Sequence, residues 1–294
     1  MRSNLLLIAM ASVLLSLMGC SFEEEEKQII TQEEFILSDT SNTKNVEAKK
    51  IEYLSDGLKV VGFIVKPKNI QEELPLMIYN RGGNREFGKL EEKTLSSYVS
   101  YWAAQGYVVL ASQYRGNDGG EGKEEFGGAD INDVLNLVEV AEELPYVDHN
   151  KKVMLGTSRG GMMTYLAIKN DIDIQAAAVV SGVSDLINVY EEREYGMKLV
   201  LEDLVGSLKE NESEYEKRSA VNWADKIDVP TIIIHGTKDE RVPVEQARDI
   251  AEKLNKYDKT YKYIEYPNAD HSRGSHHESS SKEILDWFEL HLNN

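Results

Sequence analysis

One cysteine in 294 residues, Cys20, leaves no partner for an internal disulfide. Stability must come from packing, and a chain of this length can bury one large core or two small ones. Positive charge is the second shortage. Lys and Arg number 33 against 51 Asp and Glu, a formal net charge of −18. Such a surface repels nucleic acid and anionic headgroups at long range, so no nucleic-acid partner is expected. The histidines and carboxylates show no metal spacing such as H-E-x-x-H. The glycine-rich stretch 115–130, RGNDGGEGKEEFGGAD, lacks the order of a phosphate loop, and its carboxylates would repel phosphate. Neither a metal nor another cofactor is expected. No internal repeat is visible.

What is present begins with MRSNLLLIAMASVLLSLMGC. One basic residue, an apolar run and small residues before Cys20 have the layout of a secretory signal. The run is too short and too weakly flanked for a permanent span. Leu17-Met18-Gly19-Cys20 resembles a bacterial lipobox. That resemblance implies removal of residues 1–19, lipidation of Cys20 and a membrane anchor on the extracytoplasmic face. An ordinary signal or an uncleaved anchor are the alternatives. Residues 20–45 are acidic and polar without a sustained period, and are expected to form a tether.

The folded domain is expected over 46–294. Two alternating runs flank Ser55-Asp56-Gly57, a hairpin signal. Apolar runs at 74–80, 107–114, 152–156, 174–182, 228–236 and 260–267 read as strands. Helical spacing appears at 97–106, 130–144, after Gly160, after Val244 and in the closing segment. Strands alternating with helices predict an α/β fold with a mostly parallel sheet covered on both faces. Residues 185–222 break this rhythm. They are long, charged and helical in pattern, and are expected to form a lid.

VMLGTSRGG places Ser158 in a G-x-S-x-G pattern between a predicted strand and a predicted helix. The glycines permit a tight turn that lifts the hydroxyl above the sheet, and the following helix directs N–H groups at developing charge. The Arg159 N–H is one expected oxyanion donor, and Gly82 or Gly83, in a loop after an earlier strand, supplies the other. A serine needs a base and an orienting acid. Asp239 lies 81 residues later, directly after a buried strand, where ligand-facing groups of an open sheet collect. His271 follows 32 residues beyond it, in a loop before the last helix. Asp225, Asp228 and Asp249 compete for the acid, and His276 and His277 for the base. His149 and His235 read as packing or loop residues.

With these segments in view, the chain resembles the catalytic domain of the prolyl oligopeptidase family of α/β-hydrolases over about residues 46–294. YRGNDGGEGKEEFGGADINDV, LPYVDHNKKVMLGTSRGGMM, KIDVPTIIIHGTKDERVPVEQA and YPNADHS match its motifs in order. The resemblance implies an α/β-hydrolase fold and a Ser158–Asp239–His271 triad. No propeller domain is expected ahead of residue 46, so size selection is expected to rest with the lid. Members often place histidine or tyrosine before the glycine pair, where this chain has Arg81. Arg81 is therefore expected to serve the oxyanion hole or to bind a substrate carboxylate. The function so implied is a serine hydrolase acting through an acyl-enzyme on short peptides or aminoacyl amides. A carboxylesterase on small esters and a non-catalytic ligand-binding lipoprotein are the alternatives.

Overall fold

The computed structural model describes residues 27–193 and 195–293. Cys20 and the expected signal lie outside the described residues. Nine strands form one sheet: β1 (Ile29–Phe35), β2 (Val46–Ser55), β3 (Leu58–Pro67), β4 (Leu74–Asn80), β5 (Val108–Ser112), β6 (Val147–Thr157), β7 (Ala176–Val180), β8 (Thr231–Gly236) and β9 (Tyr261–Tyr266). Their spatial order is β1-β2-β3-β5-β4-β6-β7-β8-β9. Pairs from β1 to β5 are antiparallel, and those from β5 through β4 to β9 are parallel. The expected parallel core is therefore observed, with an antiparallel wing. Asp56 and Gly57, both at positive φ, make the tight turn of the β2–β3 hairpin.

A helical stretch over 92–104 comprises α1 (Glu92–Thr94), a π-helical turn Leu95–Val99 and α2 (Ser100–Ala104). Then come α3 (Asn132–Leu135), α4 (Leu137–Glu142), α5 (Arg159–Lys169), α6 (Leu186–Glu192), α7 (Tyr195–Leu204), α8 (Leu208–Arg218), α9 (Glu245–Lys256) and α10 (His277–Leu292). The helix predicted over 130–144 runs as α3 and α4 on either side of Asn136, which keeps the helical hydrogen bonds Asn136 N to Asn132 O at 2.9 Å and Val140 N to Asn136 O at 3.0 Å; its side-chain amide donates to Ser55 Oγ at 3.0 Å.

Strand side chains alternate between two cores, as a period of two requires. Ile78, Met154, Val179 and Ile233 pack on one face with α4, α5 and α9. Met77, Leu155, Val180 and Ile234 pack on the other with Trp102, Trp287 and Phe288. Both faces are dry, which explains strands that are apolar throughout.

The segment expected as a tether departs from that reading within residues 29–35. These form edge strand β1, with Glu33 opposite Lys50 and Glu34 opposite Lys49. Phe35 packs edge-on against Phe63 with ring centroids 5.3 Å apart. The ladder to β2 and cross-strand hydrogen bonds, Thr31 Oγ1 to Glu52 Oε2 at 3.1 Å and Lys49 Nζ to Gln32 Oε1 at 3.2 Å, hold a strand whose own sequence, IITQEEF, has little to bury. The segment expected as a lid forms α6, α7 and α8 between β7 and β8. It is fixed to the first core through Leu186, Leu201, Leu204 and Tyr215.

Candidate active site

Ser158 sits where β6 ends and α5 begins, at φ 57° and ψ −123°. For a non-glycine residue this backbone region costs on the order of 1–3 kcal/mol and needs surrounding support. The support is local. Ser158 N donates to Val180 O at 2.9 Å, and Ser158 O accepts from Gly161 N at 2.9 Å. Gly160 lets β4 run beneath the elbow: a Cβ there would lie 1.9 Å from Asn80 O. The result is a half-buried serine at the mouth of a helix whose first N–H groups have no partner within that helix.

The carboxylate and imidazole arrive on neighbouring loops. Asp239 follows β8 and is buried, 7% exposed. His271 follows β9. The two loops are laced by Lys238 N to Ala269 O at 2.9 Å and Thr237 N to Tyr266 O at 3.0 Å. Ser181 Oγ holds the His271 carbonyl at 3.2 Å. Across this frame His271 Nδ1 meets Asp239 Oδ2 at 2.7 Å. Asp239 Oδ1 accepts the N–H groups of Arg241 and Val242 at 2.9 and 2.8 Å. Burial alone would raise the Asp239 pKa. Hydrogen bonds from His235 and His271, the His271 charge and the Val242 N–H outweigh it and hold the carboxyl well below the usual carboxylate range. The competing carboxylates lie elsewhere: Asp228 pairs with Lys259 at 2.6 Å, and Asp249 of α9 sits among Asp185, Glu245 and Glu252; of the competing histidines, His277 lines the same cavity but stands edge-on to Tyr98.

Ser158 and His271 line one cavity of about 440 Å³. Its walls include Gly82 and Gly83, Val183 beyond β7, Val189 and Met197 from α6 and α7, and Val242 beside Asp239. The volume falls within the usual range for small-molecule and short-peptide sites. A Cβ on Gly82 would stand 3.0 Å from Ser158 Cβ and 3.7 Å from its Oγ. The glycine loop backbone is thus directly beside the hydroxyl.

Arg81 does not take the role expected of it. Its side chain is 1% exposed and turned inward. It donates to Gln113 O at 2.7 Å, Gly82 O at 3.1 Å and Arg85 O at 3.1 Å, and stacks over Tyr114. Every strong hydrogen bond it makes is spent on loop carbonyls, so it shapes the glycine loop instead of meeting a substrate. The same loop is held from below by the Arg159 side chain, which donates to Gly83 O at 3.1 Å and Glu124 Oε1 at 2.7 Å. Glu124 in turn accepts Arg85 N at 3.0 Å.

Glu124 and His235 escape a reading of the sequence. Glu124 lies in the glycine-rich stretch as one of five carboxylates, and nothing in the local pattern marks it as one that meets Arg159. His235 is fully buried at the end of β8. Its Nε2 faces two acceptors, Val242 O at 2.8 Å and Asp239 Oδ2 at 3.3 Å. Two acceptors require the proton on Nε2. That proton goes to the nearer acceptor, the Val242 carbonyl, and Asp239 Oδ2, the oxygen that His271 meets, lies 3.3 Å from the same nitrogen. The place of His235, four residues before Asp239, was the available signal.

The chain matches the prolyl oligopeptidase family over residues 93–294. A Bacillus subtilis (strain 168) protein named uncharacterized peptidase YtmA is 34% identical over 233 residues, covering 79% of this chain and 88% of that protein. Uncharacterized peptidase YuxL of the same organism is 28% identical over 286 residues, covering 92% of this chain but 42% of the relative. A Mycobacterium tuberculosis puromycin-hydrolyzing peptidase superposes with a TM-score of 0.75 at 22% identity, over 87% of this chain and 40% of that one. An acetyl xylan esterase from Paenibacillus sp. R4 superposes with a TM-score of 0.68 at 16% identity, over 88% of both chains. Identities this low speak to the fold alone, and the fold is that of the α/β-hydrolases. The family match spans well over half of the chain and takes in the elbow, the carboxylate loop and the imidazole loop, so this protein belongs to the prolyl oligopeptidase family and is a serine hydrolase.

Proposed function

We propose that Ser158, His271 and Asp239 form the catalytic triad of a peptidase acting on short peptides or aminoacyl amides through an acyl-enzyme. The carrying observation is the 2.7 Å contact of His271 Nδ1 with Asp239 Oδ2, on a cavity that Ser158 shares with the imidazole. Ser158 Oγ attacks the scissile carbonyl while His271 Nε2 takes its proton. The imidazole–carboxylate link is already made; the hydroxyl–imidazole link is the one that closes in the reacting complex. The Arg159 N–H and the Gly82–Gly83 backbone receive the developing oxyanion. His271 then protonates the leaving amine, and water repeats the sequence to release the acid. Asp239 stays ionised and holds the imidazole tautomer.

Esters pass through the same acyl-enzyme with a better leaving group, so some ester turnover is expected beside amide turnover. The lipobox-like Leu17–Cys20 stretch supports attachment to the outer face of the cell membrane through a lipid at Cys20. Among the described residues no helix is long and apolar enough to cross a membrane. The α6–α7 wall supports selection of small substrates.

A fluorophosphonate probe tests the nucleophile. Labelling of the wild type and none of Ser158→Ala is expected. Equal labelling of both would place the nucleophile at another residue and reject the triad, and labelling of neither would reject it and leave a ligand-binding role. Turnover of acyl esters with no turnover of aminoacyl amides would reject the peptidase reading and leave an esterase.

A further inference from the structure

The chain is strongly acidic, yet its active-site cavity is not. Among the described residues the cavity wall holds four arginines, Arg159, Arg193, Arg241 and Arg273, two histidines, and neither Asp nor Glu. Three of the arginines are accounted for. Arg159 faces Glu124 and Asp130. Arg193 donates to the carbonyls of Glu240 and Arg241. Arg241 is exposed to water.

Arg273 is different. It is 4% exposed, and among the described residues it pairs with no carboxylate. Its Nε donates to Ser280 Oγ at 3.1 Å. Around it stand Tyr98, whose buried hydroxyl is near enough to interact with the guanidinium but makes no well-aligned hydrogen bond among the described residues, and His277, edge-on to the Tyr98 ring at 5.6 Å. Its charge is felt by both. Burial first, and Arg273 second, push the His277 pKa down; burial raises the Tyr98 pKa while Arg273 opposes the rise. A buried cation without a counter-ion is costly, because the attraction that would offset its lost hydration is missing. A carboxylate supplies that attraction and fits the guanidinium with two parallel hydrogen bonds. An ammonium group would find no carboxylate on this wall to receive it.

We propose that Arg273, with His277 and the Tyr98 hydroxyl, forms an anion subsite of the active-site cavity that binds a carboxylate of the substrate. The subsite lies two residues along the chain from His271 and rests on the reading of Ser158 and His271 as the reacting pair. It selects substrates that bear a negative charge close to the scissile bond, and it disfavours a free amino terminus there. The carboxylate belongs either to the acyl portion or to the leaving peptide.

Two substrate pairs distinguish these sources: succinyl-alanyl p-nitroanilide against its methyl ester, and acetyl-dialanine against its carboxamide. In at least one pair the carboxylate form is expected to be favoured at least tenfold in kcat/KM, mainly through KM. Arg273→Met should bring that ratio to one or below, and Arg273→Lys, which keeps the charge but loses the fork, should retain part of it. Fluorophosphonate labelling of Ser158 checks that each variant is folded, and the lysine variant decides if the methionine variant is not. No preference in either pair, or a preference that survives both substitutions, overturns the subsite. Absence of labelling in the wild type would overturn the hydrolase reading instead. In that event calorimetry of acetyl-dialanine and its carboxamide with the intact protein still reads the subsite: tighter binding of the acid, lost in Arg273→Met, supports it, and equal binding overturns it.

Discussion

Asp239 shows how single residues were and were not legible. Its position directly after an apolar strand marked it, because the carboxyl ends of sheet strands are where side chains meet a ligand. Its charge state needed the structure. Two imidazoles and two backbone N–H groups converge on it, and they hold it ionised well below the usual carboxylate range despite burial. A carboxyl depressed in the folded state contributes stability that is present above its unfolded value of about 3.9 and is lost as pH falls toward the folded one. The melting temperature should therefore drop as pH is lowered through about 4. Asp239→Asn should show a shallower drop over the same range, measured by thermal unfolding against pH; identical slopes would mean that the carboxyl is not depressed. Asp239 also stays charged across the mildly acid range, so the acidic limb of activity belongs to another group. At neutral pH the same variant should lose on the order of 10³–10⁴ in kcat, since an amide cannot hold the required tautomer. Arg81 failed as a sequence-based expectation for a related reason. A guanidinium beside a glycine pair looks available until the Gln113, Gly82 and Arg85 carbonyls are seen to enclose it.

At the scale of elements, periodicity placed the strands and most helices because burial on two faces writes itself into composition. β1 was hidden by the same logic: an edge strand with one thin contact face needs few apolar residues. The elbow depends on how closely two elements approach. A Cβ on Gly160 would meet Asn80 O at 1.9 Å and Arg81 O at 2.8 Å, both backbone atoms that cannot swing aside. Gly160→Ala should therefore cost about 3 kcal/mol or more, with β4 forced from α5. Gly196, in α7, has no atom of the described residues within 4 Å of its would-be Cβ. Gly196→Ala should hold or gain up to about 1 kcal/mol from helix propensity. Urea midpoints at constant slope measure both. Equal effects of the two substitutions would mean that the close approach does not govern the elbow.

For the whole molecule, a net charge of −18 opposes the approach of any anionic substrate, while the proposed Arg273 subsite would favour it once it has arrived. Salt separates the two effects. The Debye length falls from about 30 Å at 10 mM to about 8 Å at 150 mM, which weakens the distant surface field more than a short buried contact. kcat/KM for a carboxylate substrate should therefore rise over that range, and that of its neutral analogue should stay level. A steep fall for the carboxylate form would place the dominant attraction at the exposed surface. The sequence by itself determined the fold class, the two-sided core and the order of serine, acid and histidine, because hydrophobic period and turn chemistry are local properties of the chain. Only the tertiary structure decided that Arg81 faces inward, that His235 stands beside the carboxylate that His271 meets and that Arg273 has no counter-charge among the described residues. Those facts depend on residues far apart in the chain meeting in a buried space, where the presence or absence of a partner charge has no trace in local pattern.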